Sequence, residues 1–244
     1  MISVFKGLIK PFRYRELFYD DSILNYYKNF YKFTPRISPI NTKSEQLTRV
    51  DIINTYINRN SNSKKDNIKY LEIGCDDNNC FDNVNLPLAQ KIGVDPIKGG
   101  THRMTSDNFF KSCKEKFDII FIDGLHMYLQ VQRDIINSLY FLKDDGVIII
   151  HDMLPKRWEM ECVPRIYKLW NGDVWKIGVE LANSNSIELK IFACDYGVGI
   201  VSKKTPKYEY CKMNDKLAKQ NFKDFLNHIS ALPIFEPSLF NEIC

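Results

Sequence analysis

Acidic and imidazole side chains follow two apolar runs of this 244-residue chain. Asp123 and His126 lie three residues apart after one run, and His151 and Asp152 come directly after the other. If both runs are parallel strands, these side chains meet at one edge of the sheet, where ligands bind. A neutral imidazole can remove a proton from a hydroxyl near pH 7, and carboxylate oxygens are the ligands that Mg²⁺ prefers. We therefore predict catalytic roles for His126, Asp123, Asp152 and His151, with Asp123 and Asp152 as candidate metal ligands.

Each of these assignments has a structural alternative. His126 could be a residue at the start of a helix that is hydrogen-bonded to a neighbouring carboxylate. Asp123 and Asp152 could be ordinary helix-capping or hydrogen-bonding carboxylates without a metal.

The loop after an earlier apolar run contains residues suited to a nucleoside ligand. Gly74, two residues after Glu72, lets the backbone approach a ligand closely. Asp95 follows the next predicted strand, twenty-three residues after Glu72, where an acidic side chain can bind both hydroxyls of a ribose. The sequence therefore predicts a nucleoside pocket between these two loops.

The charge of the first loop restricts the ligand, because Asp76 and Asp77 lie in it. They would repel a pyrophosphate by a few kcal/mol at a separation of ~4 Å and an effective dielectric constant of about 20. A sulfonium and an ammonium group would be attracted instead. S-Adenosylmethionine therefore fits this loop and NAD fits it poorly. The alternative is that residues 76–79 only form a turn.

Together these segments resemble the class I S-adenosylmethionine-dependent methyltransferases, in the branch associated with polysaccharide and glycan modification. The resemblance covers residues 42–202 and rests on residues 70–74, 93–96, 99–107, 117–126 and 146–152. It implies a doubly wound Rossmann-like sheet and a cofactor site, whose residues would be Glu72, Gly74, Cys75, Asp95, Pro96, Ser106, Asp107 and Asp123.

Within that family, the roles implied are specific. Glu72 and Gly74 would shape the pocket for the methionine part, and Ser106 with Asp107 would lie near the adenine amine. The segment from Asp123 to His126 is similar to catechol- and caffeoyl-type O-methyltransferases, in which the aspartate binds a divalent metal and a lysine three residues later is the base. Two features depart from the pattern: the second glycine of the first loop is absent, and Met153 stands where metal-dependent relatives have asparagine.

Candidate acceptor-binding residues combine aromatic rings with hydrogen-bonding groups, as sugar sites do. They lie in the segments 170–175 and 195–197 and at positions 102 and 103, and we single out His102, Arg103, Trp175 and Asp195. The alternatives are that the tryptophans belong to the core and that His102 and Arg103 cap a strand.

The hydrophobic pattern predicts the elements that position these residues. Strands are expected at 69–73, 91–94, 117–122 and 147–150, with an antiparallel pair at 187–193 and 198–202. Val131, Ile135, Leu139 and Leu142 mark one face of a crossover helix. The expected fold is α/β: a doubly wound open sheet, mostly parallel with an antiparallel edge strand.

Three regions are expected along the chain. Residues 1–40 form a basic, aromatic helical arm or lid, residues 41–204 the core, and residues 205–244 a C-terminal helical appendage marked by Leu217, Phe222, Phe225, Leu226 and Ile229. A capping box at Thr42 and Glu45 should begin a helix whose apolar stripe is Leu47, Val50, Ile53 and Ile57. The arm could pack on the core, cover the acceptor site, or contact a partner copy or a membrane surface.

Composition excludes several classes of protein. The net charge of +4 lies within the first 36 residues, and the remainder carries 27 basic and 27 acidic residues, which argues against nucleic acid as a partner. No apolar run reaches the ~18 residues that span a bilayer, and the seven cysteines form no CxxC motif. We expect a cytoplasmic protein with reduced thiols; homo-oligomerisation remains open.

The sequence therefore favours an S-adenosylmethionine-dependent O-methyltransferase acting on a sugar or glycan hydroxyl, with Mg²⁺ as an open question. The alternatives are a phenol O-methyltransferase, an RNA methyltransferase, which the neutral main domain disfavours, and a catalytically silent binding module in polysaccharide assembly.

Overall fold

The computed structural model describes residues 21–35, 38, 40, 47–64, 67–207, 210 and 215–244. Within this part of the chain, seven strands form one sheet: β1 (Tyr70–Ile73), β2 (Lys91–Val94), β3 (Phe117–Ile122), β4 (Leu142–Ile150), β5 (Ile187–Phe192), β6 (Val198–Lys203) and β7 (Ile234–Phe235). Their order across the sheet is β2-β1-β3-β4-β6-β5-β7. The first four strands are parallel, and β6 is antiparallel to both of its neighbours. The predicted fold, a mostly parallel open sheet with an antiparallel edge, is confirmed.

The central strands are buried because helices cover both faces of the sheet. Every residue of β3 is buried, as are Ile148, Ile149 and Ile150 of β4. Strand β4 begins five residues earlier than predicted, since Leu142 pairs with Phe117 of β3. Leu142 was expected on the crossover helix, but that helix ends at Phe141, and Leu142 is fully buried at the start of the strand.

The helices that border the sheet are α2 (Arg49–Lys64), α3 (Ser106–Ser112), α4 (Tyr128–Phe141), α5 (Trp158–Glu161) and α6 (Trp175–Ala182). In α2 the expected apolar stripe is present, with Ile53 and Ile57 buried. The capping box predicted at Thr42 and Glu45 lies outside the described residues. None of the described helices combines the length and the apolar character that crossing a membrane requires.

The C-terminal region differs from the single helix expected there. Two short helices, α7 (Asp215–Ala218) and α8 (Phe222–His228), are separated by three residues. Asn221 explains the break, because its side chain caps α8 and the Asp224 side chain accepts a hydrogen bond from the Asn221 backbone N–H at 2.9 Å. Strand β7 and a last helix, α9 (Phe240–Ile243), were not predicted.

Part of the predicted N-terminal arm packs on this core. Helix α1 (Asp21–Phe30) is followed by Tyr31, which is 4% exposed. The Tyr31 ring stacks on Trp158 with 4.9 Å between ring centroids. The domain boundaries at residues 40 and 204 remain predictions.

Candidate active site

A cleft of about 1090 Å³ opens at the carboxyl ends of β1, β2, β3 and β4. This is the edge at which open α/β sheets bind ligands. Most of the residues singled out from the sequence line it: Glu72, Gly74, Cys75, Asp95, Pro96, Ser106, Asp107, Asp123, His126, His151, Asp152 and Asp195. The structure therefore brings together side chains that are more than 100 positions apart in the chain.

Asp95 connects the loops that follow β1 and β2. Its Oδ2 accepts backbone hydrogen bonds from Cys75 and Asp76 at 3.2 and 3.1 Å. Its Oδ1 accepts from Ile97 and Lys98 at 2.7 and 3.0 Å. A carboxylate has about four acceptor positions, and the loop backbones use that number. Asp95 therefore holds the loops after β1 and β2 together. Its contact with a ribose remains a prediction.

The loop after β1 needs its glycine. Gly74 has φ +88°, and a Cβ at this position would lie 2.3 Å from the Asp123 carbonyl oxygen. Asp76 and Asn78 also have positive φ, at 42° and 66°. Residues 76–79 therefore form the turn that was considered as the alternative to a ligand-binding loop. Asp76 and Asp77 nevertheless also line the cleft.

Glu72 carries a buried oxygen that has no hydrogen-bond partner among the described residues. The Tyr70 hydroxyl donates to its Oε2 at 2.6 Å, whereas Oε1 is unpartnered. Burial raises the pKa of Glu72 to about 7, although the Tyr70 hydroxyl opposes the shift. An unpartnered buried carboxylate oxygen beside a cleft is costly unless a ligand supplies a donor.

A second buried carboxylate, that of Asp134 on α4, contacts the start of α3, where the resemblance places the adenine. The Ser106 hydroxyl donates to Asp134 Oδ1 at 2.5 Å, and Gln130 Nε2 donates to the same oxygen at 3.1 Å. Burial raises the pKa of Asp134 to about 6. Gln130 and Asp134 both line the cleft, and the sequence analysis missed them because they look like ordinary polar positions of a helix.

His126 lies between two carboxylates and the backbone of a neighbouring turn. Its Nδ1 is 2.7 Å from the Trp170 carbonyl oxygen and 3.0 Å from Asp152 Oδ2, and its Nε2 is 3.4 Å from Asp123 Oδ1. Burial lowers the pKa of His126, but Asp152 and Asp123 outweigh this effect and raise the pKa to about 9. The Trp170 ring stacks on the imidazole with centroids 5.3 Å apart.

The turn that supports His126 also holds Asp152. Asn171 Nδ2 donates to Asp152 Oδ1 at 2.8 Å, and Asp152 itself has φ +64°. At Gly172, φ is +59° and a Cβ would lie 1.7 Å from the His126 carbonyl oxygen. Only glycine permits this approach of the turn to His126.

His151 lies on the other side of Asp123 and faces Asp195. Its Nδ1 is 3.1 Å from Asp123 Oδ1, and its Nε2 is 3.5 Å from Asp195 Oδ1. Burial lowers the pKa of His151, but Asp152 and Asp123 outweigh burial and hold it well above its ordinary value. Burial raises the pKa of Asp195, but His151 and Arg49 outweigh burial and lower it.

Arg49, at the start of α2, completes this cluster and was not predicted. Its Nη1 donates to Asp195 Oδ2 at 2.8 Å, and its Nε lies 3.7 Å from Asp123 Oδ2. Three aspartates thus face one guanidinium and two imidazoles. No motif in the sequence connects Arg49 to these strands.

Three predicted acceptor residues do not line the cleft. Trp175 is fully buried in α6, where its Nε1 donates to Glu161 Oε1 at 3.2 Å, so the prediction that it contacts an acceptor there is wrong. Arg103 donates to the carbonyl oxygens of Gly99 and Asp95 and so braces the loop after β2. His102 packs on Phe109 with ring centroids 5.5 Å apart. Trp170 and Tyr196, from the same two segments, line the cleft instead.

Asp123, His126 and Asp152 form a candidate metal site. One ligand atom from each residue lies within 4.8 Å of the others. The two carboxylates supply oxygen ligands that suit Mg²⁺, and the His126 imidazole lies beside them. The residues therefore fit the predicted metal.

Residues 60–153 match the model of a family described as a methyltransferase domain. This segment runs from α2 to the exit of β4 and includes the first loop, Asp123, His126 and Asp152. No curated protein matches the sequence. The match shows that this segment, which is less than half of the chain, is similar in sequence to methyltransferase domains.

The chain has a low similarity to several solved structures. The S-adenosylhomocysteine-bound methyltransferase PaMTH1 of Podospora anserina is 15% identical, with 81% of this chain and 99% of that chain covered and a TM-score of 0.43. An O-methyltransferase of Bacillus cereus is 11% identical, with 75% and 90% covered and a TM-score of 0.46. MycE, a methyltransferase of mycinamycin biosynthesis, is 14% identical, with 69% of this chain and 54% of that chain covered and a TM-score of 0.42. At these values, the likenesses give no information about the reaction of this chain.

Proposed function

We propose that this protein is an S-adenosylmethionine-dependent O-methyltransferase. The observation that carries the proposal is the unpartnered, buried Oε1 of Glu72 in a cleft whose first loop also presents Asp76 and Asp77. A ligand with an ammonium and a sulfonium group satisfies this oxygen and the acidic loop together. The match of residues 60–153 to a methyltransferase domain supports the same class of reaction.

S-Adenosylmethionine, when bound, supplies a methyl group that an acceptor oxygen attacks in line while the carbon–sulfur bond breaks and sulfur keeps the electron pair. His126 removes the proton of the acceptor hydroxyl at Nε2 when its ring is neutral, which its pKa of about 9 makes the minority form at pH 7, so turnover should rise with pH toward 9. The Trp170 carbonyl oxygen and Asp152 accept from the Nδ1–H, which selects the tautomer whose Nε2 is basic. Asp123 then stabilises the imidazolium that forms.

The acceptor end of the cleft favours a sugar hydroxyl. Trp170 and Tyr196 supply aromatic faces, and Asp195 supplies hydrogen-bond acceptors beside them. Sugars bind to such a combination. The spacing of Asp123 and His126 keeps a phenol as the second candidate acceptor, because catechol-type enzymes share it.

Asp123 and Asp152 would hold Mg²⁺, with His126 beside it. The cation, when bound, lowers the pKa of an acceptor hydroxyl. Arg49 and His151 hold Asp123 on its other side and so keep its carboxylate directed into the cleft.

Calorimetric titration with S-adenosylhomocysteine and with NAD tests the cofactor. The first should bind and stabilise the protein by about 2.7 kcal/mol at 100 times its dissociation constant, and NAD should not. An ammonium ligand needs ionised Glu72, whose pKa is about 7, so affinity should fall as pH drops from 8 to 6. Glu72→Gln should weaken binding at pH 8 and remove most of this pH dependence. Tighter binding of NAD, or a Glu72→Gln protein with unchanged affinity and pH dependence, would contradict the proposal.

A further inference from the structure

Helix α1 and the turn that follows it present three aromatic rings to solvent. Tyr26 and Phe30 are 63% and 40% exposed, and Phe33 is 91% exposed. The rings of Tyr26 and Phe30 stack with their centroids 6.1 Å apart. The Tyr31 backbone N–H still donates to the Tyr27 carbonyl oxygen, so the helical path continues toward Phe33. Because spacings of four and three positions share one face of a helix, these three rings form one surface, which we call the aromatic patch.

The other side of α1 is already attached to the core. The rings of Tyr27 and Tyr31 stack on Trp158, with their centroids 6.5 and 4.9 Å from that of the indole. The Tyr27 hydroxyl donates to the Val163 carbonyl oxygen at 3.3 Å. These contacts hold α1 in place and leave the aromatic patch uncovered. A single exposed apolar side chain is ordinary, whereas adjacent rings on a fixed helix indicate a contact surface.

Lysine side chains accompany the aromatic patch. Lys223 Nζ, from α8, lies 4.3 Å from the centroid of the Phe30 ring, and Lys32 Nζ lies 5.5 Å from that of Phe33. Lys28, on α1 itself, is exposed. Within the described part of the chain, these three ammonium groups form no ion pair. The surface is therefore both aromatic and cationic.

Acidic residues do not offset this charge. None of residues 22–35 is acidic. Asp224 follows Lys223, but its side chain accepts a hydrogen bond from the Asn221 backbone N–H at 2.9 Å and so caps α8. A symmetric contact between two copies of this surface would place its lysines opposite one another, which like-charge repulsion disfavours. The charge is complementary to an anionic partner instead.

From this arrangement we propose that the aromatic patch and its lysines bind the surface of a membrane that contains anionic lipids. Aromatic rings are favoured at the level of the lipid headgroups, and an amphipathic helix can lie in that plane with its apolar side buried. Lysines beside the rings are attracted to the negative surface potential of such a membrane. The contact is peripheral and does not depend on the proposed methyl transfer.

Co-sedimentation of the full chain with lipid vesicles tests the inference. Vesicles of phosphatidylcholine with about one third phosphatidylglycerol should bind the protein at least about tenfold more tightly than vesicles of phosphatidylcholine alone, and high salt should reduce the difference. A single-stranded oligothymidylate should not displace the protein from the anionic vesicles. Failure to bind the anionic vesicles, equal binding to both kinds, or displacement by the oligonucleotide would contradict the inference.

Variants of the exposed rings locate the contact. Phe33→Ser and Tyr26→Ser should each weaken binding to the anionic vesicles several-fold, because they remove aromatic surface from the patch. Tyr140→Ser is the matched control, since Tyr140 is 68% exposed but lies on α4. It should leave vesicle binding unchanged. Light scattering should show the same mass for the wild-type protein and Phe33→Ser; a dimer that Phe33→Ser dissociates would assign the patch to a second copy instead.

Charge variants separate the electrostatic part of the contact from the aromatic part. Lys32→Gln and Lys223→Gln should each lower affinity for the anionic vesicles about fivefold and leave the weak binding to neutral vesicles unchanged. Lys111→Gln, at an exposed lysine on α3, should change neither. If Lys111→Gln weakens binding as much as Lys32→Gln and Lys223→Gln do, the attraction is a property of the overall charge and the inference is wrong.

Discussion

At the scale of single residues, the role of His126 depends on which of its nitrogens is free to accept a proton. Nδ1 contacts the Trp170 carbonyl oxygen at 2.7 Å, and a carbonyl can only accept, so Nδ1 carries the proton in the neutral ring. Nε2 is then the basic atom. This assignment follows from the backbone of a turn that the sequence does not connect to His126.

Replacing His126 should therefore affect turnover and leave cofactor binding intact. His126→Ala should lower kcat by about 10²–10⁴-fold, because proton removal contributes only as the methyl group moves. Binding of S-adenosylhomocysteine, measured by calorimetry, should change less than threefold by comparison. The matched control is His102→Ala, which lies outside the cleft lining and should keep its activity. An active His126→Ala enzyme would exclude His126 as the base and direct attention to His151.

Removing and restoring the metal tests whether methyl transfer depends on Mg²⁺. Treatment with a chelator should abolish methyl transfer, and added Mg²⁺ should restore it, because Asp123 and Asp152 present oxygens to one point of the cleft. Asp152→Asn should raise the concentration of Mg²⁺ needed for half-maximal activity. Full activity in the presence of the chelator would show instead that the two carboxylates serve only to orient His126 and His151.

At the scale of elements, the turn from Trp170 to Gly172 connects the segment between α5 and α6 to the residues that follow β3. The backbone N–H groups of Asn171 and Gly172 donate hydrogen bonds to the Met160 carbonyl oxygen at 2.9 and 3.0 Å, which attaches the turn to α5. The Trp170 carbonyl and the Asn171 amide then reach His126 and Asp152. One turn thus positions two candidate catalytic side chains from different strands.

Gly172→Ala should disturb this junction specifically. The new methyl group would overlap the His126 carbonyl oxygen, and the positive φ adds strain, so the turn must shift. We expect a loss of about 1–3 kcal/mol in unfolding free energy and a fall in kcat larger than the fall in cofactor affinity. The control is Gly178→Ala in α6, where a methyl group would meet flexible side-chain ends at 3.2 Å or more. Equal losses of kcat in both variants would contradict the positioning role of the turn.

At the scale of the whole molecule, the chain before the sheet is tied to helices that follow it. Tyr31 stacks on Trp158 of α5, and its hydroxyl accepts a hydrogen bond from the Phe222 backbone N–H at 3.4 Å. The contact with Phe222 joins residues that are 191 positions apart. The described part of the arm therefore contributes to the stability of the core, even though every residue predicted to bind the cofactor lies after it.

Two aromatic residues of the arm give opposite predictions. Tyr31→Ala should lower the unfolding free energy in urea by about 3 kcal/mol, because it empties a buried site between Trp158 and Phe222. Phe33→Ala should change it by less than about 0.5 kcal/mol, since the Phe33 side chain is 91% exposed. A Tyr31→Ala protein as stable as Phe33→Ala would show that the arm is separable from the core.

The sequence was sufficient to predict the sheet, and most of the residues singled out from it line the cleft, because strand periodicity is local and parallel strands must end at the same edge. Asp123, His126, His151 and Asp152 follow directly from that rule. Asp95 was predicted from its spacing to Glu72, whereas the roles of Glu72 and Ser106 were implied by the resemblance to methyltransferases.

Only the tertiary structure decided which further side chains complete the candidate site. Arg49 contacts Asp123 and Asp195 because α2 begins beside the sheet edge. The hydrophobic periodicity of the sequence does not show how close the start of α2 lies to that edge. Of the two tryptophans in one six-residue segment, Trp175 points into the core and Trp170 into the cleft, a difference set by where α6 begins and by what its buried face packs against. The hydrophobic pattern predicts only that such residues are buried or half-buried. Contacts between elements that are distant in the chain determine whether each side chain faces the core or the cleft.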